Sequence, residues 1–113
     1  GARLKKQTWQ DWFSPAVMLP QGALIQLDGP PHAQEPNIGW GLGWGLEPEF
    51  ARFFQWGKMI GMRAFVMGNS ESNSGFVVFA NCNTGLRLIQ PLADILLPGE
   101  HPAVHLLLKE VTE

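Results

Sequence analysis

Few side chains in this sequence stand in a pattern that could do chemistry. The three histidines, His32, His101 and His105, lie in proline-rich or terminal segments, and Pro102 argues against one helical face for the last two. No cysteine or carboxylate accompanies them at metal-ligand spacing, so we expect neither a metal site nor another cofactor. Cys82 has no histidine near it in sequence, which favours a small buried hydrophobic residue over a nucleophile.

The motifs of the common serine nucleophiles are also missing from these residues. No Ser is followed three residues later by Lys, and no Gly-x-Ser-x-Gly elbow is present. Glu47 and Glu49 flank Pro48 in a turn-like segment, where we expect two solvated carboxylates rather than a catalytic acid and base. The sequence therefore predicts no catalytic residue within this chain.

Composition narrows the class of protein. With 113 residues, 45% of them hydrophobic and 16% charged, residues 1–113 can form a single domain with its own core. Eight Lys and Arg against ten Asp and Glu, with no basic stripe, argue against nucleic-acid binding. The N-terminus has no charged segment followed by an apolar one, so we expect no signal peptide. No apolar run reaches about 18 residues, so we expect no membrane span. One cysteine leaves the compartment unknown.

Hydrophobic spacing predicts two helices that would flank the rest of the chain. The first covers residues 6–13 and stops at Ser14-Pro15, and the second covers residues 86–97 and ends at Pro98-Gly99. Pro91 lies inside the second pattern, so it should either kink that helix or mark where its regular part begins. The tail from residue 101 onward is too short to classify.

Between the helices, the sequence predicts an antiparallel sheet. Residues 23–27 could form a short strand before a loop at 28–37. Residues 38–46 alternate large apolar residues with glycine, which predicts one strand with a bare face. Either another part of the protein approaches that face closely or the strand is curved. Three further strand candidates follow at residues 50–56, 62–67 and 76–80, the last two joined by a polar hairpin. The predicted fold class is α+β, with about four antiparallel strands flanked by an N-terminal and a C-terminal helix.

Four ordered blocks of this sequence resemble the C-terminal part of the serine β-lactamase and penicillin-binding-protein-like hydrolases. The blocks are Gly39 to Leu46, Phe53 to Gly57, Gly61 to Phe65 and Gly75 to Asn81. In that family a Lys-Thr-Gly or His-x-Gly triplet lies on an inner strand, a Gly-aromatic pair follows, and a hairpin leads to a strand ending in Thr-Asn or Ala-Asn. The resemblance extends to both helices and implies the C-terminal part of the β-lactamase/transpeptidase-like fold.

Carried over to this sequence, the resemblance implies a substrate-binding strand. Gln55-Trp56-Gly57 stands in the place of the triplet, so Gln55 would face the cleft and contact the carboxylate or carbonyl of the substrate. The backbone amide of Lys58 would then be one of the two oxyanion-hole donors. The sequence departs from the family at Gln55, which carries no positive charge and cannot shuttle a proton. Met59 and Met62 replace polar and aromatic residues, which implies a more apolar cleft edge.

The family's nucleophile comes from a segment that precedes the matching region. Its Ser-x-x-Lys helix and its Tyr-x-Asn or Ser-x-Asn loop have no counterpart in these residues, so the resemblance implies a fragment that is inactive alone. The parent would be a bacterial esterase, peptidase or lactamase acting on a small ester or amide, from a family often exported or periplasmic. A fragment would expose an apolar face and an unpaired edge, and would either self-associate or need the missing N-terminal part.

Two other interpretations of the sequence remain open. The chain could be a standalone Trp-rich β module that binds a ligand or a partner protein through Trp40, Trp44 and Trp56. It could also be a noncatalytic remnant that pairs with a partner chain. Burial of the tryptophans beneath the terminal helices is the simpler explanation of their number, because large aromatic side chains are highly buried on average.

Overall fold

The computed structural model describes residues 3–18 and 37–112, with side chains described as far as residue 108. This part of the chain forms an α+β fold with three α-helices and one six-stranded antiparallel sheet. The helices are α1 (Lys6–Trp12), α2 (Ile89–Leu96) and α3 (Pro102–Thr112). The strands are β1 (Val17–Met18), β2 (Gly39–Trp40), β3 (Gly45–Glu47), β4 (Arg52–Met59), β5 (Met62–Asn69) and β6 (Ser74–Ala80).

The strands follow one another across the sheet in chain order, so every connection within it is between neighbours. The hairpins β4–β5 and β5–β6 form its long half and confirm the three strands and the polar hairpin predicted for residues 50–80. Strands β1, β2 and β3 are short and bring the number of strands to six, above the four expected. The predicted strand at 23–27 and all of the predicted loop at 28–37 except Asn37 lie outside the described residues.

The prediction of one strand over residues 38–46 is wrong, because the chain reverses direction within it. Gly39 pairs with Leu46 in an antiparallel hairpin, and the Gly41 amide donates to the Trp44 carbonyl at 2.8 Å. Gly43 has a φ of 91°, a conformation that glycine adopts without the penalty imposed by a Cβ. The predicted close approach to bare glycine does occur in part, since the Phe54 ring lies against the position that a Cβ of Gly45 would occupy.

Both predicted helices form, with differences at their ends. Helix α1 matches the first closely, whereas the second begins as a 3-10 turn at Gly85–Leu88 before α2. Pro91 lies in the first turn of α2, where a missing amide costs no helical hydrogen bond, so it accompanies the start of the regular helix. Pro102 likewise begins helix α3 in the unclassified tail and does not interrupt a helix. None of the helices in the described ranges is long and apolar enough to cross a membrane.

The core lies between one face of the sheet and helices α2 and α3. Because side chains alternate along a strand, Phe54 on β4 and Phe65 and Met67 on β5 point to this face, which we call the inner face. The buried residues that complete the core are Ile38, Leu86, Ile89, Ala93, Leu97, Ala103, Val104, Leu106 and Leu107. Helix α1 has no buried residue, and Phe13, which directly follows it, packs against Phe53 on the opposite, outer face. The outer face of β4 to β6 beyond α1 is left uncovered by the described residues.

Candidate functional site

Strand β4 places Gln55 on the outer face, between the inward-pointing Phe54 and Trp56. Its side-chain amide is held at both ends: Nε2 donates to the Gly43 carbonyl at 3.1 Å, and Oε1 accepts from the Trp56 backbone amide at 3.0 Å. The Gln55 side chain therefore joins the turn before β3 to the middle of β4. These two partners fix the orientation of the Gln55 side-chain amide, because the Gly43 carbonyl can only accept and the Trp56 N–H can only donate.

The edge of β4 is open beyond the end of its partner β3. Strand β3 begins at Gly45, which pairs with Phe54, whereas β4 continues past Phe54 to Met59. Within the part of the chain that the structure describes, no strand lies beside this edge of Gln55–Met59. The Trp56 amide, which points away from β5, is satisfied by the Gln55 side chain. Backbone amides two residues apart on a strand point to the same side, so the Lys58 amide lies along the same open edge.

The tryptophans around this edge lie in ring clusters. Trp56 meets Trp40 edge to face with centroids 6.0 Å apart and stacks on Phe54 at 6.1 Å. Trp44 meets Phe53 at 5.1 Å on the outer face. All three tryptophans are half-buried, and Trp40 and Trp56 pack against the core. This arrangement favours a packing role over the exposed aromatic platform of a binding module.

Two adjacent pockets divide the four residues expected to bind substrate. Gly57 and Lys58 border a pocket of about 390 Å³ that Met59, Met62 and Phe79 also line. Gln55 and Trp56 border a smaller pocket of about 160 Å³, which shares Phe79 with the first. The structure thus brings the four residues to one end of β4, but it separates the triplet side chains from Lys58. Met59 and Met62 give the larger of these two pockets an apolar lining.

Gly57 leaves the backbone of this region accessible. A Cβ built on it would contact only the Cβ of Ala64, at 3.7 Å, which is an ordinary van der Waals distance. Crowding therefore does not require glycine at this position. Lys58 is exposed, and its partner across the strand is Arg63, another cation.

Glu47 is buried, and the expectation that it would be solvated is wrong. Its Oε1 accepts from Arg52 Nη1 at 3.2 Å, and its Oε2 accepts from the Ala103 amide at 2.9 Å, at the start of α3. Burial raises the pKa of Glu47, while the Ala103 amide and Arg52 act in the opposite direction. Glu49 is exposed, as expected. The Glu-Pro-Glu sequence gave no signal of this difference, because both partners of Glu47 come from other elements.

The remaining candidates do not form a second site. His101 is buried, with Nδ1 3.3 Å from Asp94 and Nε2 2.5 Å from the Leu97 carbonyl, whereas His105 is exposed. Cys82 is exposed, so the expectation that it would be a buried hydrophobic residue is wrong; it lies in the polar loop after β6, where no core packs around it. His32 lies outside the described residues. Among the side chains that the structure describes, no group of three potential metal ligands comes together.

Comparisons with protein-family models, with curated proteins and with solved structures found no match.

Proposed function

We propose that this chain is the C-terminal part of a β-lactamase-like serine hydrolase and contributes one backbone donor of its oxyanion hole. The observation that carries the proposal is the open edge of β4, along which the Lys58 amide lies three residues after Gln55. An oxyanion-hole donor must be a fixed N–H group that is free to reach a developing negative charge. A backbone amide on a paired strand with one open edge meets both requirements.

The chemistry would be acyl transfer from a small ester or amide. A serine on a Ser-x-x-Lys segment would attack the carbonyl, and the oxygen would develop negative charge between two amides, one of them that of Lys58. These residues contain no Ser-x-x-Lys motif, so the nucleophile and the second donor must come from outside the printed sequence. The proposal therefore requires a complementary segment, on the same natural polypeptide or on a partner.

Gln55 would act in this site as a positioning residue. Its side chain satisfies the Trp56 amide and ties β4 to the turn at Gly43, so it fixes the edge on which the Lys58 amide lies. Both of these hydrogen bonds would have to break before the Gln55 amide could contact a substrate. This differs from the direct contact expected for the first residue of the family's triplet.

The experiment uses the natural gene product that contains these residues. We expect it to hydrolyse nitrocefin or p-nitrophenyl esters and to be labelled at a serine by a fluorescent penicillin or a fluorophosphonate. Lys58→Pro removes the lysine side chain together with the amide hydrogen that faces the open edge, where an edge strand accommodates proline. Loss of one oxyanion donor should lower kcat by about 100- to 1000-fold with little change in Tm.

Lys58→Ala is the matched variant, because it removes the side chain and retains the amide. Its loss of kcat should stay below about tenfold, well short of the loss in Lys58→Pro. A natural product without hydrolysis and without serine labelling would refute the proposal. An active product in which the proline and alanine variants behave alike would refute the assignment of the donor.

A further inference from the structure

The end of the β4–β5 hairpin exposes apolar side chains that the fold does not use. Ile60 at the tip is 99% exposed, and beside it Met59 is 71% and Met62 58% exposed. Phe79 on the neighbouring strand β6 is 81% exposed and shares a pocket with both methionines. Scattered exposed hydrophobic residues are normal, but a contiguous group of large ones marks an interaction surface. We call Met59, Ile60, Met62 and Phe79 the apolar tip.

The geometry of the turn does not require an apolar residue at Ile60. A two-residue hairpin needs glycine where φ is positive, and Gly61 with a φ of 75° meets that need. The Gly61 amide is bonded to Asn83 Oδ1 at 2.7 Å, which holds the turn against the loop after β6. A Cβ on Gly61 would have no neighbour within 4 Å, so the turn projects into open space. The turn at Ile60 and Gly61 is therefore a fixed projection, beside the pocket that Met59, Met62 and Phe79 line.

Two cations flank the apolar tip, and neither has a carboxylate partner among the described residues. Lys58 and Arg63 face each other directly across β4 and β5, and like charges in this position destabilise a sheet. The Arg63 guanidinium donates to the carbonyls of Met59 and Met62, which places it at the end of the hairpin. Within residues 3–18 and 37–108, the ion pairs join Glu47 to Arg52 and Asp94 to His101, so neither cation is neutralised there.

We propose that the apolar tip docks on an anionic membrane surface. Ile60 and the two methionines would enter the boundary between headgroups and acyl chains, while Lys58 and Arg63 would meet lipid phosphates. Long basic side chains can keep their charged ends at the headgroups while their stems lie along apolar groups. A folded acidic protein would need a cavity to receive the projecting turn at Ile60, whereas a fluid lipid surface does not. This favours a lipid surface over a protein. This inference does not depend on the proposed hydrolase activity.

The experiment measures flotation of the natural gene product that contains these residues, with vesicles of phosphatidylcholine alone and with vesicles that also contain about 30% phosphatidylglycerol, at whose surface each basic residue contributes about 1 kcal/mol. We expect binding to the anionic vesicles that falls at least tenfold when the salt is raised from about 0.05 to about 0.5 M. Ile60→Ser should weaken the partition coefficient about tenfold. Lys58→Gln should weaken it about fivefold.

Ile95→Ser is the matched control, because Ile95 is 77% exposed on helix α2, away from the hairpin. It should bind the anionic vesicles as the unchanged chain does. The proposal is wrong if the protein does not bind anionic vesicles or if it binds neutral ones equally well. It is also wrong if Ile60→Ser and Ile95→Ser lose the same affinity. It is also wrong if Ile60→Ser dissociates a dimer that forms without vesicles, since a second copy would then cover the tip.

Discussion

The two ends of strand β4 differ in which side chains are buried: a charged one at its start and none of the apolar ones at its other end. At its start, Arg52 is 3% exposed and bonded to the equally buried Glu47, whereas at its other end the side chain of Met59 is 71% exposed. Arg52 also donates to the carbonyls of Pro98 and Glu100, between α2 and α3. Charges are thus buried and paired at one end, whereas at the other end apolar groups are exposed beside charges that have no carboxylate partner among the described residues.

This difference separates what holds the fold together from what is available for binding. The Glu47–Arg52 pair joins β3 and β4 to the start of α3, through the Ala103 amide, and to the segment before it. Buried charges are tolerated only where partners of this kind surround them. At the hairpin end, no contact with the core would be lost if Ile60 were polar. We therefore expect substitutions at the first end to affect stability and those at the second to affect binding.

The largest effect is expected from Arg52→Ala. Among the described residues, it would leave the buried Glu47 with the Ala103 amide as its one hydrogen-bond donor, and it would remove the donor to two carbonyls. Breaking a buried ion pair by removing one member costs about 3–5 kcal/mol of unfolding free energy. Urea denaturation followed by tryptophan fluorescence measures this loss.

The control for Arg52→Ala lies on the same strand. Lys58→Ala removes an exposed cation without a charged partner among the described residues, so it should change the unfolding free energy by less than about 0.5 kcal/mol. Similar losses in the two variants would show that the ends of β4 do not differ as the structure indicates.

A smaller effect, dependent on pH, is expected from Glu47→Gln. Burial raises the pKa of Glu47 above 4.5, so the folded state binds this proton more tightly than the unfolded chain does. The stability linked to that proton is complete below the unfolded pKa and is lost as pH rises through the folded one. The variant cannot ionise and avoids this loss, so its stability relative to the unchanged chain should improve as pH rises from below 4.5.

Glu49→Gln provides the comparison for this pH series, since Glu49 is exposed two residues away. Its stability should follow that of the unchanged chain at each pH. A difference for Glu47→Gln that stays constant, or that moves against the variant with rising pH, would mean that the ion pair outweighs burial at this carboxylate.

The regular half of the fold could be predicted from local sequence, and the partners of Glu47 could not. Helix α1 was expected from its helical spacing of apolar residues, and strands β4 to β6 were expected because they are rich in aromatic and other large apolar residues. The alternation of glycine over residues 38–46 is the same in an extended strand and in a chain that reverses at Gly43. The bond from Ala103 to Glu47 joins residues 56 positions apart, and no local pattern encodes such a contact.

The candidate site likewise has one feature that local sequence predicts and others that depend on contacts between elements. The outward direction of Gln55 follows from its placement between Phe54 and Trp56, because side chains alternate along a strand. Its two hydrogen bonds depend on where β3 ends and on the turn at Gly43, and these were read as continuous strand. The open edge beside Lys58 was accordingly visible only once the strands were paired.

The smallest effect on stability is expected from Phe79→Ala. Its ring is 81% exposed on the outer face, while the ring of Phe65, on the adjacent strand, is 1% exposed against the core. Removing an exposed ring should change the unfolding free energy by less than about 0.5 kcal/mol. Phe65→Ala deletes the same group from a packed site and should cost about 3–5 kcal/mol. If Phe79→Ala cost more than about 1 kcal/mol in a monomeric sample, its ring would be covered in solution by residues of this chain, and the hairpin end would belong with the stabilising half of the sheet.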